Sequence, residues 1–210
     1  MFRIFEALLL LALDEEEGEI IDSAVADLEA ILSGAVVAEL VLQHRIDLVD
    51  GRIVVTDQSP TENLILDKAL FDILDSARLR KLKYWLNTLA YKKLLDEIVH
   101  ALVEKGILAR NKKRLHLVAP YGDSPAGEVS AQYAIKKRLR EIVLAAGAAE
   151  LPDKALLAFL HHGKMLRLVF TPGERKTAYK RAKKLLGSEE GSGLGEPLET
   201  IVIAACESNR

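Results

Sequence analysis

The chain has 210 residues, half of them apolar and 29% charged, with 29 Lys and Arg against 31 Asp and Glu for a formal charge of −2 at pH 7. That length supports one well-filled core rather than two, and the balance of apolar and charged residues excludes a disordered tail protein. Near-neutrality excludes a global pull toward nucleic acid or an anionic membrane, so any such contact must come from a local patch.

The run from Phe5 to Leu13 is apolar on every side, which predicts a first helix at the centre of the core. Arg3 ahead of it gives a superficial likeness to a secretory leader. Glu6 flanks the run, however, and Asp14-Glu15-Glu16-Glu17 stands where a small-residue cleavage site belongs, so the segment is read as a buried helix ended by the acidic run and Gly18. No run reaches the ~18 apolar residues that a membrane span requires.

Asp22 or Ser23 is then expected to cap a long helix through Val25, Leu28, Ile31, Leu32, Val36, Leu40 and Val41. Gly34, among Ala30, Ser33 and Ala35, marks a surface where another helix can come close. Ile46 to Val55 reads as two strands around Asp50-Gly51, a strong hairpin signal. Ser59-Pro60-Thr61-Glu62 has the form of a capping box with proline at the first helical position, opening a helix that buries Leu64, Leu66, Ala69, Leu70 and Ile73. A further helix runs through Leu79, Leu82, Trp85, Leu86 and Leu89, with Trp85 at the spacing of a core residue.

Lys92 to Val103 is an amphipathic helix burying Leu94, Leu95, Ile98, Val99, Leu102 and Val103, and Gly106 suits the left-handed residue that closes it. Ile107-Leu108 and Leu115-His116-Leu117 flank Asn111-Lys112-Lys113-Arg114, which predicts a second hairpin with a cationic tip. Helix followed by hairpin therefore occurs twice, at Ala38 to Ile46 and at Ala101 to Ile107. Pro120 to Gly127 reads as a loop, and Ser130 to Ala146 as a helix carrying Lys136, Lys137, Arg138 and Arg140. Asp153 is expected to cap a helix through Leu156, Leu157 and Leu160. Thr171-Pro172-Gly173-Glu174 is a second capping box, opening a basic helix that Gly187 ends. After a Gly- and Glu-rich loop from Ser188 to Pro197, an apolar helix from Leu198 to Ala205 closes the chain. The expected fold is mainly α, a single helical domain over residues 1–210 with two short β-hairpins, one of them protruding.

Chemistry is sparse. No phosphate-binding glycine loop, dinucleotide fingerprint, zinc-protease motif or nucleophile elbow occurs, so neither catalytic nor metal-binding residues nor a cofactor are expected. Adjacent His161 and His162 would point about 100° apart on a helix, a poor grip on one ion. Asp14 to Glu17 reads as a solvated helix end. The lone Cys206 rules out an internal disulfide and fits a reducing, cytoplasmic setting. The cations Lys92, Lys93, Arg110, Lys112, Lys113 and Arg114 cluster around one helix and its hairpin, where they can meet phosphates. Leu115 and Leu117 beside the tip suit a shallow membrane or protein contact.

In ordered motifs spread over nearly the whole chain, the sequence resembles the Golgi phosphoprotein 3 family, in the form of its bacterial relatives. The matching segments are Glu6 to Asp14 with Gly18, Ala38-Glu39-Leu40 leading to Arg45-Ile46, Pro60-Thr61 with Leu66 to Leu70, and Leu102 to Leu108; Leu156 to Leu160 and Ala178 to Leu186 match more loosely. The resemblance implies a non-enzymatic peripheral membrane and adaptor protein that binds phosphatidylinositol 4-phosphate through a basic pocket, with the hairpin from Arg110 to Val118 serving membrane insertion and self-association. Expected partners are thus an anionic phospholipid, phosphatidylinositol 4-phosphate in the family, and a second copy of the chain; the protein clients are not legible. The family's pocket uses a tryptophan and an arginine on the second helix and two basic residues before the hairpin. These positions are Ala24, Ser33, Lys92 and Leu95 here, and only Lys92 is basic; each lost charge-assisted contact removes about 1–3 kcal/mol. The expected lipid contacts are therefore Lys92 and Lys93, with Arg110, Lys112, Lys113, Arg114, Leu115 and Leu117 as the hairpin surface. The alternatives are a winged-helix nucleic-acid binder, disfavoured because Asp96 and Glu97 occupy the helix face that should be cationic, and a protein-interaction module that has lost lipid binding.

Overall fold

A computed structural model describes residues 2–21, 28–90, 93–112, 114–118, 130–187 and 193–207, and it is mainly helical, with two short hairpins. The first helix, α1 (Ile4–Ala12), is buried along its whole length, Glu6 included. The second, α2 (Leu28–Leu42), is buried at every position from Ile31 to Leu40, because it packs against most of the other helices. Its expected cap at Asp22 or Ser23 lies outside the described residues. Two inner helices without a polar stripe organise the molecule, and the amphipathic helices wrap them.

The first hairpin pairs β1 (Ile46–Val49) with β2 (Arg52–Val55) in the register Ile46 to Val55 and Val49 to Arg52. Asp50 and Gly51 both have positive φ, 49° and 69°, as the tight turn between twisted strands requires. Next come α3 (Leu64–Leu74), α4 (Leu82–Ala90) and α5 (Leu94–Glu104), then the second hairpin of β3 (Leu108–Asn111) and β4 (Arg114–Leu117). The remaining helices are α6 (Ala131–Leu144), α7 (Leu151–His162), α8 (Arg175–Leu186) and α9 (Glu196–Glu207). The helix α9 lies on α2, α7 and α4, and α8 lies outside, on α6 and α7.

The doubled unit is visible in detail. Past α2, the amides of His44 and Arg45 donate to the carbonyls of Val41 and Leu40; past α5, those of Gly106 and Ile107 donate to Val103 and Leu102. Both are the paired bonds of a left-handed helix stop, with φ of 54° at His44 and 67° at Gly106. The hairpins then close alike, Thr56 N to Arg45 O and Val118 N to Ile107 O, each at 2.9 Å.

Several local expectations change. Ser59-Pro60-Thr61-Glu62 is not a capping box: Glu62 has a φ of 60°, and Asn63 caps α3 by accepting from the amides of Ile65 and Leu66. Thr61 is drawn instead to Asp67, which accepts from both its amide and its hydroxyl. Leu64 is 85% exposed and Ile65 takes its place inside; Leu79 precedes α4 and is exposed. Trp85 is in the core, as its spacing predicts. Leu95 and Val103 on α5 are only half-buried. Asp153 does serve the start of α7, from its first turn, where it accepts from the Glu150 amide at 3.0 Å. The Pro120 to Gly127 loop lies outside the described residues.

Polar side chains tie the outer helices to the inner ones. Buried Gln132 donates to the carbonyls of Leu10 and Leu13, both at 2.7 Å, satisfying acceptors that the end of α1 leaves open. Glu39, also buried, accepts from the Ile4 amide at 2.6 Å, while burial pushes its carboxyl above the usual range. Arg140 on α6 grips Glu174 with two bonds of 2.7 and 2.6 Å, and Glu174 also accepts from the amide and hydroxyl of Thr171; this is half of the expected second capping box, because the Thr171 hydroxyl donates instead of accepting and α8 begins only at Arg175. First Arg140 and then Thr171 hold the Glu174 carboxyl down at about 2, from 4.5. A carboxyl lowered on folding stabilises the protein above its unfolded value and loses that contribution as the pH falls through its folded value. Thermal unfolding followed from pH 5 to 2 should therefore decline less steeply in Glu174→Gln than in the unsubstituted protein over the window from about 4.5 to 2; identical slopes would remove Glu174 from the acid transition.

Candidate functional site

Of the residues the sequence singles out for lipid contact, Lys92 and Lys113 lie outside the described residues, as does Ala24. Lys93 is exposed at the start of α5, in a left-handed conformation with φ of 58°. The hairpin folds back along this helix, and Asp96 in its first turn lies 3.8 Å from Arg110 on β3. Lys93 and Arg110 therefore flank Asp96 at one end of α5. Ser33 is fully buried and its hydroxyl donates to the Ala30 carbonyl, so this position of the expected pocket faces the core.

The hairpin is bolted to the domain along β4. Leu115 donates its amide to the Gly18 carbonyl at 2.8 Å and buries its side chain to 8% exposure. Leu115 is thus a core residue, and any membrane or self-association contact on this strand falls to half-buried Leu117 and to Val118, 38% exposed. The burial arises because the loop after α1 doubles back: Asp14 accepts from the amides of Glu16 and Glu17, Leu13 bridges Ile20, and Gly18 is brought under β4. The same amides draw the Asp14 carboxyl below its usual range. The tip is open to solvent, with Arg110, Asn111, Lys112 and Arg114 exposed.

The acidic loop also supplies the hairpin's second counter-charge, Glu17, 3.9 Å from Arg114. Both hairpin arginines are more than half exposed and so are their acidic partners, at separations beyond hydrogen-bonding distance. Such pairs are worth at most about 1 kcal/mol, so they place the guanidinium groups without withholding them from a stronger anion. Sequence reasoning missed both acids as partners of the hairpin, although Asp14 to Glu17 was conspicuous as a charge run.

One shallow cleft of about 180 Å³, lined by Phe2, Ala7, Ala134, Ile135, Leu139 and Leu156, holds only the Arg138 and Asp153 pair as charge. Another, of about 410 Å³, lies between the end of α2, the first hairpin and the start of α9. Among the described residues no three His, Cys, Asp or Glu side chains come together for a metal ion. His44, His100 and His116 are exposed, and the rings of His161 and His162 meet edge-on at 74° rather than converging on one point. Among the described residues no helix is long and apolar enough to cross a membrane.

Compared with known protein families, the chain matches the family described as Golgi phosphoprotein 3 (GPP34) over residues 4–205. No curated protein matches it.

Proposed function

Since the chain belongs to the Golgi phosphoprotein 3 family, we propose that it is a non-enzymatic peripheral membrane and adaptor protein that meets anionic lipid headgroups at the open end of α5 and the tip of the second hairpin. The observation that carries this reading is the anchored hairpin: β4 is fixed to Gly18, so Arg110, Lys112 and Arg114 are held out together at the tip with only loose acidic partners. A lipid phosphate offers charge-assisted bonds roughly twice as strong as neutral ones, which outbids an exposed carboxylate about 4 Å away.

The specific headgroup follows less directly from the residues. Of the family's four pocket positions only Lys92 is basic here; Ser33 faces the core and Leu95 is half-buried. Recognition through the remaining cations reads phosphate charge rather than an inositol ring. Phosphatidylinositol 4-phosphate remains a ligand to be tested, as does a self-association contact through Leu117 and Val118. The winged-helix reading gains the doubled helix and hairpin unit, yet the polar face of α5 carries Asp96, Glu97 and Glu104, the wrong sign for a groove-reading helix.

Flotation with phosphatidylcholine vesicles, with and without phosphatidylinositol 4-phosphate at low salt, tests the proposal. The protein should float with the anionic vesicles, and the triple variant Arg110→Gln, Lys112→Gln, Arg114→Gln should lose about a hundredfold in partition at roughly fivefold per cation. Flotation equal with and without the anionic lipid would overturn the lipid contact and leave a protein-interaction module.

A further inference from the structure

Between Lys154 and Gly187 the chain carries nine Lys and Arg residues and a single carboxylate, Glu174, in a protein whose overall charge is −2. Most of these cations fall on α8, and the fold sorts them into two groups. Its arginines are engaged with the protein: Arg181 donates to the carbonyls of Val143 and Leu144 at the end of α6, and Arg175 donates to that of Phe170. The lysines are not. Lys176, Lys180, Lys183 and Lys184 are all exposed, and their side chains make no hydrogen bond or ion pair among the described residues.

Helical geometry places these four lysines on one side. Ala178 and Ala182 pack inward against the domain, and positions 176, 180, 183 and 184 lie on the opposite half of the turn. Tyr179 sits among them, 51% exposed, its ring stacked on His161 at 4.6 Å between centroids and 27° between planes. Both nitrogens of His161 are buried without a hydrogen-bond partner among the described residues, burial lowers its pKa, and its ring supports the tyrosine from beneath. Arg140 and Glu174 clamp the start of the helix.

We propose that this outer face of α8 is a second electrostatic contact with an anionic membrane, indifferent to headgroup identity and separate from the hairpin. The inference rests on the membrane reading of the protein. Charge complementarity selects an anionic occupant, and the form of the face selects a plane. The cations are lysines, hydrated point charges on flexible stems, on the convex side of one short helix, and neither described cleft is lined by them. A tyrosine among lysines suits the headgroup layer, where an amphipathic ring and long cationic stems both find their preferred surroundings. With its apolar side already packed on α6 and α7, the helix lies on the membrane surface by charge instead of inserting into it.

Vesicles of phosphatidylcholine with and without phosphatidylglycerol, free of any phosphoinositide, test this against the hairpin contact. The full chain is compared with a variant carrying Lys176→Gln, Lys180→Gln, Lys183→Gln and Lys184→Gln, whose exposed sites leave the helical circular dichroism unchanged, and with the hairpin triple variant. The expected result is binding to phosphatidylglycerol vesicles that weakens steeply with salt and falls roughly several-hundredfold in the lysine variant. Unchanged binding of that variant, with loss only in the hairpin variant, overturns the α8 contact and leaves the membrane reading standing. Binding to phosphatidylinositol 4-phosphate vesicles but not to phosphatidylglycerol has the same consequence. Failure to bind either vesicle overturns both readings. Retention of single-stranded RNA that is lost in the lysine variant, while vesicle binding is unaltered, overturns the lipid contact in favour of a nucleic-acid one.

Discussion

Gly34→Ala is expected to lower stability by about 1–3 kcal/mol, against the roughly 1 kcal/mol gain that helix propensity alone assigns to the exchange. A methyl group at Gly34 would lie 2.3 Å from Cβ of Ala205 and 3.2 Å from the Phe159 ring. Carbon atoms rest about 3.5–4.0 Å apart, so α2 and α9 would have to separate where they pack most closely. Neither helix can yield locally, since α2 is buried from Ile31 to Leu40 and Ala205 is itself fully buried. At about 2–4 °C per kcal/mol for a chain of this size, the melting temperature should drop by several degrees. A double-mutant cycle with Ala205→Gly isolates the contact: removing the second methyl should return at least about 1 kcal/mol of the loss. Additive effects, or a melting temperature raised by Gly34→Ala, would show that the helices are not held at this distance.

Gly18→Ala should cost about 2–5 kcal/mol, the sum of a left-handed backbone penalty and an overpacking term. Its φ is 68°, and the new Cβ would meet the Leu115 carbonyl oxygen at 2.8 Å and Cβ of Arg114 at 3.2 Å. Gly106→Ala is the matched control. That glycine has nearly the same φ, 67°, with nothing within 4 Å of the added carbon, so it should pay the backbone penalty alone. Relief in Gly18→Ala comes most readily by letting the hairpin leave the loop, since the hairpin belongs to the outer structure. Hydrogen exchange at the Leu115 amide, which donates to Gly18, should then quicken far more than at Leu102 and Ile107. If the two glycine variants lose the same stability and Leu115 stays protected, the Gly18 contact does not position the hairpin.

Several features were legible because their causes are local. Asp50-Gly51 supplies two residues that tolerate positive φ, so the first hairpin follows from four adjacent positions. Gly106 stops α5 for the same reason. Apolar spacing put Trp85 in the core, and the small residues around Gly34 announced a close helix crossing without naming the partner. Local rules also misled. The Ser-Pro-Thr-Glu pattern was a credible cap, but Asp67 draws Thr61 away, and Asn63 accepts from the free amides of α3 instead. Leu64 and Ile65 are equally apolar, and the packing of α3 on α2 and on the first hairpin decides which one is buried.

The candidate site divides in the same way. From the sequence alone came the family resemblance, the mainly helical class, the two hairpins and the position of the cations along the chain, because periodicity, turn chemistry and composition act over a few residues. Tertiary structure alone decided which of those cations are free. It set Asp96 and Glu17 beside the hairpin arginines, buried Leu115 under Gly18, and turned Ser33 into the core. On α8 it engaged the arginines with backbone carbonyls and left the lysine face open. The physical reason is range: a side chain's charge and polarity are fixed by its own atoms, whereas its partners and its exposure are set by segments that approach only when the core closes.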